Sequence, residues 1–282
     1  WHLLSEPPVN ACLWGERAAA LEHALEHAQR AGDAREASRA ASALMQAVQL
    51  GPTPVDSAID RARRFLHESE GDRLLTASIL SSLAVLLAMR GEFTEARVQW
   101  ARAQTSWDEL GLTHHRAIGA MDASAIELLA GDAEAAEREL RTGYDMLVEI
   151  GNVHHRPMLA AYLAAVLVEK GDLDDAAALA SYAESHSWED DIVTEVMWRV
   201  ARAQIEAHTG DGALAERLAR EAVDLAAPTD FLELQGTALL ALARVLAETG
   251  SPDAASVADQ AAAVYLRKGN VVGAERAAAL LA

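Results

Sequence analysis

Glycine recurs along this chain at a nearly fixed interval. Gly51, Gly91, Gly131, Gly171, Gly210 and Gly250 are separated by 40, 40, 40, 39 and 40 residues. A second series, Gly32, Gly71, Gly111 and Gly151, runs half a period out of phase at separations of 39, 40 and 40, and Gly269 follows 118 residues later. Self-similarity of this length marks a repeat architecture, in which each unit buries its apolar face only against its neighbours. The stretches between glycines, such as AASALMQAVQL and AEAAEREL, are rich in helix formers. Each repeat therefore reads as two helices of about 16–19 residues joined at glycine, which takes up left-handed backbone at little cost.

Side-chain size supports the same unit. Seven residues before the first-series glycines stand Ala84, Ser124, Ala164, Ala203 and Ala243. Five residues after them stand Ala96, Ala136, Ala176, Ala215 and Ala255, and twelve after them Ala103, Gly143, Ala183, Ala222 and Ala262. Small residues belong where the helices of one hairpin, and the next hairpin, must approach closely. The unit at Gly51 departs: GPTPVDSAI inserts about two residues, the small position moves to Ala58, and Leu44 replaces the small residue before the glycine. The expected organisation is a leading helix within 1–32, six helical hairpins over 33–268 and a closing helix within 269–282. That makes an all-α, right-handed solenoid of about fourteen helices with a repeat of about 40 residues.

The small-residue pattern resembles the tetratricopeptide repeat (TPR), in its longer-helix variety, over residues 33–268. The segments GPTPVDSAI, LLAMRGEFTEARV, LLAGDAEAAERELRTGYDML, LAREAVDLAAPTDFLELQGTALLALARVL and YLRKGNVVGAERAAALL carry the resemblance further. They are similar to the C-terminal half of bacterial multidomain signalling proteins that place a nucleotide cyclase domain and an AAA-type ATPase ahead of TPRs. Related arms occur in ATPase-coupled transcriptional activators. The resemblance implies a sensor or docking arm that regulates an attached or partner ATPase or cyclase. NVHHRPM lies outside that pattern, so no family role passes to its histidines.

Composition narrows the partners. Against 24 basic residues stand 43 acidic ones, a net charge of −19 that opposes direct binding to nucleic acid or anionic lipid. Only Lys170 and Lys268 are lysines, and Cys12 is the one cysteine, which excludes an internal disulfide and suits a reducing compartment. No signal peptide or membrane-length apolar run is apparent, so a cytoplasmic setting is expected. The sequence opens on WHLLSEPP without an initiator Met, which suggests a piece of a longer protein. Its oligomeric state is left open.

No phosphate loop, nucleophile elbow, CxxC, HExxH or paired-Asp cyclase motif occurs. The reading is a non-catalytic chain with no cofactor and no metal. Clustered acids in SWEDDIVTE lack calcium-loop spacing and read as helix-start carboxylates. The pairs His114–His115 and His154–His155, each followed by Arg, open the first helix of consecutive repeats. Adjacent helical residues diverge by about 100°, so a metal would need one imidazole from each repeat, such as His115 with His155, and further ligands besides. A duplicated packing element is the simpler reading, with a pH response as the alternative. Trp100 falls at a core position of the repeat. Trp188 and Trp198 flank the junction that lacks its glycine and are secondary candidates for partner contact.

The TPR register places Met121, Met158, Met197, Val200, Gln204, His208, Leu240 and Arg244 on the first-helix face that such proteins turn inward. Three methionines along one face suit an adaptable apolar contact, either a partner's amphipathic helix or an apolar small effector held within the superhelix.

Overall fold

The computed structural model describes residues 11–69, 71–188 and 190–280. The first ten residues of the leading segment, the last two of the closing segment, and Glu189 of the SWEDDIVTE cluster lie outside them. Fifteen helices occupy the described chain. They are α1 (Trp14–Ala31), α2 (Ala34–Leu50), α3 (Val55–Glu68), α4 (Arg73–Met89), α5 (Phe93–Glu109), α6 (Thr113–Ile118), α7 (Ala120–Leu129) and α8 (Ala133–Glu149). There follow α9 (Arg156–Lys170), α10 (Leu173–His186), α11 (Ile192–Thr209), α12 (Gly212–Ala226), α13 (Leu232–Glu248), α14 (Ala254–Lys268) and α15 (Val271–Ala279). No strand occurs among the described residues. The fold is a TPR-like helical solenoid, and α6 and α7 together make one arm of it, interrupted at Gly119.

Local chemistry sets the helix boundaries. Asp33, Asp72, Asp132, Asp191 and Asp211 each accept a hydrogen bond from the backbone N–H three residues on, at 2.9–3.1 Å, which satisfies an otherwise orphaned donor. Every glycine of the two series has positive φ except Gly51. Gly51 is kept small for another reason: a Cβ there would stand 2.9 Å from that of Trp14 and 2.7 Å from the Ala47 carbonyl oxygen. Gly119 supports two rings, since an added Cβ would lie 2.8 Å from Trp100 and 2.9 Å from Trp107. Those indoles meet edge to face at 5.7 Å, so Trp100 packs in the interior as expected.

The small positions are buried as the spacing predicts, with one correction. In the last hairpin Ala254 and Ala261 are buried, whereas Ala255 is exposed and Ala262 only half-buried. The turn there is Ser251-Pro252 in place of the acidic residue that follows Gly91, Gly131, Gly171 and Gly210, and it moves the register of α14 by one residue.

The first helices of the hairpins (α2, α4, α6/α7, α9, α11, α13, with α15) form an inner row, and the second helices form an outer one. Inner helix α4 buries 13 of its 17 residues, whereas outer α10 buries three of 14. A helix covered on nearly all sides must be apolar on nearly all sides, as RLLTASILSSLAVLLAM is. The inner row is covered because the coil closes on itself. Nζ of Lys268, at the end of α14, donates to the carbonyls of Val48, Gly51 and Thr53 at 3.2, 2.7 and 2.9 Å. The Asp230 carboxylate accepts from the backbone N–H groups of Trp14 and Gly15 at the start of α1, at 2.6 and 2.8 Å. Arg276 of α15 donates to the Leu128 carbonyl at 3.0 Å. The accessible surface is 12367 Å², close to the ~11,700 Å² of an ordinary globular monomer of this mass. Apolar packing is continuous from Cys12 to Ala258.

Candidate functional site

The inward row divides by depth. Met197, Val200 and Gln204 are buried on α11; Met121, Met158, Leu240 and Arg244 are half-buried; His208 is exposed. Gln204 donates to the Val200 carbonyl at 3.2 Å and accepts from Arg244 at 3.4 Å. His208 faces Glu248 at 3.5 Å. Closure of the coil turns what would be an open face into an interior, so an apolar occupant there must displace packed side chains or part the ends. Two shallow depressions lie on outer helices, one beside Glu26, Gln29 and Arg30, the other along α12. Neither reaches the methionine row.

Polar groups tie the inner row together, and of them the sequence singled out only Arg244 as a site residue. The Asp122 carboxylate on α7 accepts from Gln49 of α2 at 3.0 Å and from Ser81 of α4 at 2.6 Å. Burial raises its pKa, and these two bonds oppose the rise. Glu169 of α9 receives Arg244 at 3.1 Å and Arg276 at 3.4 Å. Glu233 accepts from Asn270 at 2.8 Å, and burial pushes it up to about 7. Burial pulls Lys268, fully inaccessible, down to about 8, with Glu233 and Asp230 opposing. One signal was in plain view: Lys268 is one of two lysines in a chain otherwise supplied with arginine.

The histidine pairs meet across repeats, but not in the combination the spacing suggested. His114, rather than His115, approaches His155, at 3.5 Å between ring nitrogens. His115 instead lies 6.3 Å from the Trp107 ring. His114 and His115 lie within α6, whereas His154 and His155 stand in the turn before α9 with His155 as its N-cap, so the second pair does not open the helix as the spacing suggested. Burial, then His114 and His154, lower His155 to about 4; burial and His114 lower His115. The arginines are structural braces. Arg116 reaches Asp108 at 3.7 Å and Glu139 at 4.0 Å, and Arg156 donates to the Tyr182 hydroxyl while lying over its ring at 4.8 Å. Among the described residues no group of three or more His, Cys, Asp or Glu is placed to hold a metal ion.

The tryptophans of the glycine-free junction separate. Trp198 is buried with Arg199 stacked 4.1 Å from its ring, whereas Trp188 is exposed, 6.0 Å from His154. Asp191 caps α11 as Asp33 and Asp72 cap the helices that follow Gly32 and Gly71. No described helix is long and apolar enough to cross a membrane.

No protein-family model matches the sequence, and no curated protein matches it. Among solved structures, the chain is similar to a Rap protein complexed with competence and sporulation factor, with a TM-score of 0.65 and 14% identity. The match covers 94% of this chain and 78% of the other. At that identity the likeness establishes the fold.

Proposed function

We propose that the chain is a non-catalytic interaction and sensing arm that regulates a signalling ATPase or nucleotide cyclase, attached to it or met as a partner. The observation that carries this reading is the clasped coil. Its ends are held by a few identifiable polar bonds, at Lys268 and Asp230, so a partner or effector that binds one spacing of the hairpins better than another shifts the whole solenoid. The similar Rap structure holds a bound factor, which supports a coil of this shape as a receptor. The test is to co-express the arm with the ATPase or cyclase domain encoded with it and measure nucleotide turnover. Turnover is expected to change at least threefold when the arm is deleted or its clasp removed by Lys268→Met. Identical turnover with and without the arm would overturn the proposal.

A second reading, an apolar small-effector receptor, is favoured by Met121, Met158 and Met197 standing on three consecutive inner helices, α7, α9 and α11. Native mass spectrometry of the purified chain would reveal such an effector as a stoichiometric mass increment that Met158→Asp abolishes. A chain of bare mass that gains no thermal stability from apolar ligands contradicts it.

A further inference from the structure

Exposed large apolar side chains are distributed unevenly between the two edges of the solenoid. On one edge the first helices turn into the second at Gly91, Gly131, Gly171, Gly210 and Gly250. On the other, each second helix hands over to the next first helix. Of the nine such exposed residues described, only Val98 lies away from the hand-over edge. Five of the others concentrate at three consecutive hand-overs: Leu110, Val148, Ile150, Val153 and Trp188. Val153 is 66% exposed and Trp188 53%.

Ring contacts join the three hand-overs into one surface. His114 lies 5.0 Å from His155, His155 lies 5.0 Å from His154, and His154 lies 6.0 Å from Trp188. Around this strip stand the exposed acids Asp108, Glu109, Asp145, Glu149 and Asp190. The arginines beside it are occupied: Arg116 and Arg156 are half-buried braces, and the exposed Arg73 is paired with Glu109, which leaves Asp145, Glu149 and Asp190 to make the rim acidic. Contiguous exposed apolar side chains rimmed by polar residues mark contact surfaces.

We propose that this edge docks a cationic amphipathic α-helix of a protein partner, a proposal that rests on the reading of the chain as an interaction arm. Charge selects the sign of the partner: the rim is acidic and the chain carries −19, which also disfavours a second copy of itself. Spacing selects a helix. Stacked helices recur at about 8–10 Å, and an apolar stripe repeats every seven residues, about 10.5 Å along an α-helix. Three hand-overs then match a partner helix of about 13 residues, with anchors at i, i+7 and the turn beyond. Trp188 and Val153 are the anchors' principal contacts.

The probe is a synthetic Leu/Lys amphipathic helix of 14 residues, with a Leu/Glu helix of the same apolar pattern as control. Binding is read from the fluorescence of the full chain and by calorimetry. Saturable one-to-one binding of the Leu/Lys helix is expected, weakening at least tenfold in the double variant Val153→Ser, Trp188→Ser and between 50 and 300 mM salt. Both sites are exposed, so the variant's melting curve should overlay that of the parent. Binding that the double variant leaves intact, equal binding of the Leu/Glu helix, no binding, or self-association lost in the double variant would each overturn the proposal. The nucleotide-turnover assay, repeated with this variant, separates the two ideas. Regulation that survives it sinks this surface while sparing the arm, and turnover indifferent to the whole arm sinks the arm.

Discussion

Lys268 shows how much one side chain carries in this coil. Its ammonium spends three donors on carbonyls 215 to 220 residues away in the sequence. Lys268→Met keeps much of the stem but leaves those carbonyls short of a donor, so a loss of about 3 kcal/mol is expected in denaturant unfolding. A loss below about 1 kcal/mol would mean that water replaces the ammonium freely. His155 makes a prediction in pH. Its folded value of about 4 lies below the ordinary 6.5, so the unfolded chain takes up the proton first. The contribution is complete above about pH 6.5 and is lost as pH falls from there toward 4. His155→Gln should therefore flatten the acid side of the melting-temperature profile across that window. Parallel profiles for parent and variant would show that His155 is protonated as easily folded as unfolded.

Among the elements, the hairpin is the unit most legible in the sequence. Glycine period, acidic caps and small residues are local signals, and helix boundaries follow local chemistry, which is why about fourteen helical arms can be read from residue order alone. What resists such a reading is the contact between hairpins. The break at Gly119 follows from two indoles that arrive from α5, and the pairing of His114 with His155 joins two neighbouring hairpins. Neither contact is written in a single repeat, since each needs residues of two neighbouring elements. Gly143, by contrast, is marked by size alone: an added Cβ would stand 2.5 Å from that of Ala120 and 2.6 Å from the Ala117 carbonyl oxygen. Gly143→Ala should cost about 1–3 kcal/mol through overpacking, although alanine favours a helix over glycine by about 1 kcal/mol. A net gain in stability on thermal unfolding would show that α6, α7 and α8 are spaced more widely than described.

At the scale of the whole molecule, closure decides what the inner row is. Small rotations from repeat to repeat add up along a solenoid, and their sum brings α14 and α15 back to α2, α3 and α4. No local pattern encodes that sum, so an interior lined by Met197 and Val200 reads in sequence as an open face. The two lysines offer a direct test, since Lys268 is inaccessible and Lys170, paired with Glu134 and Glu137, sits at a surface turn. In the folded protein burial pulls Lys268 down to about 8 while the bonds to Glu137 and Glu134 raise Lys170, so protonation at pH 8 favours acylation of Lys268 and slow labelling there reports shielding. Native acylation at pH 8 followed by peptide mass spectrometry should modify Lys268 at least a hundredfold more slowly than Lys170, which corresponds to an opening free energy of about 2.8 kcal/mol. Comparable rates at the two lysines would contradict the closed coil.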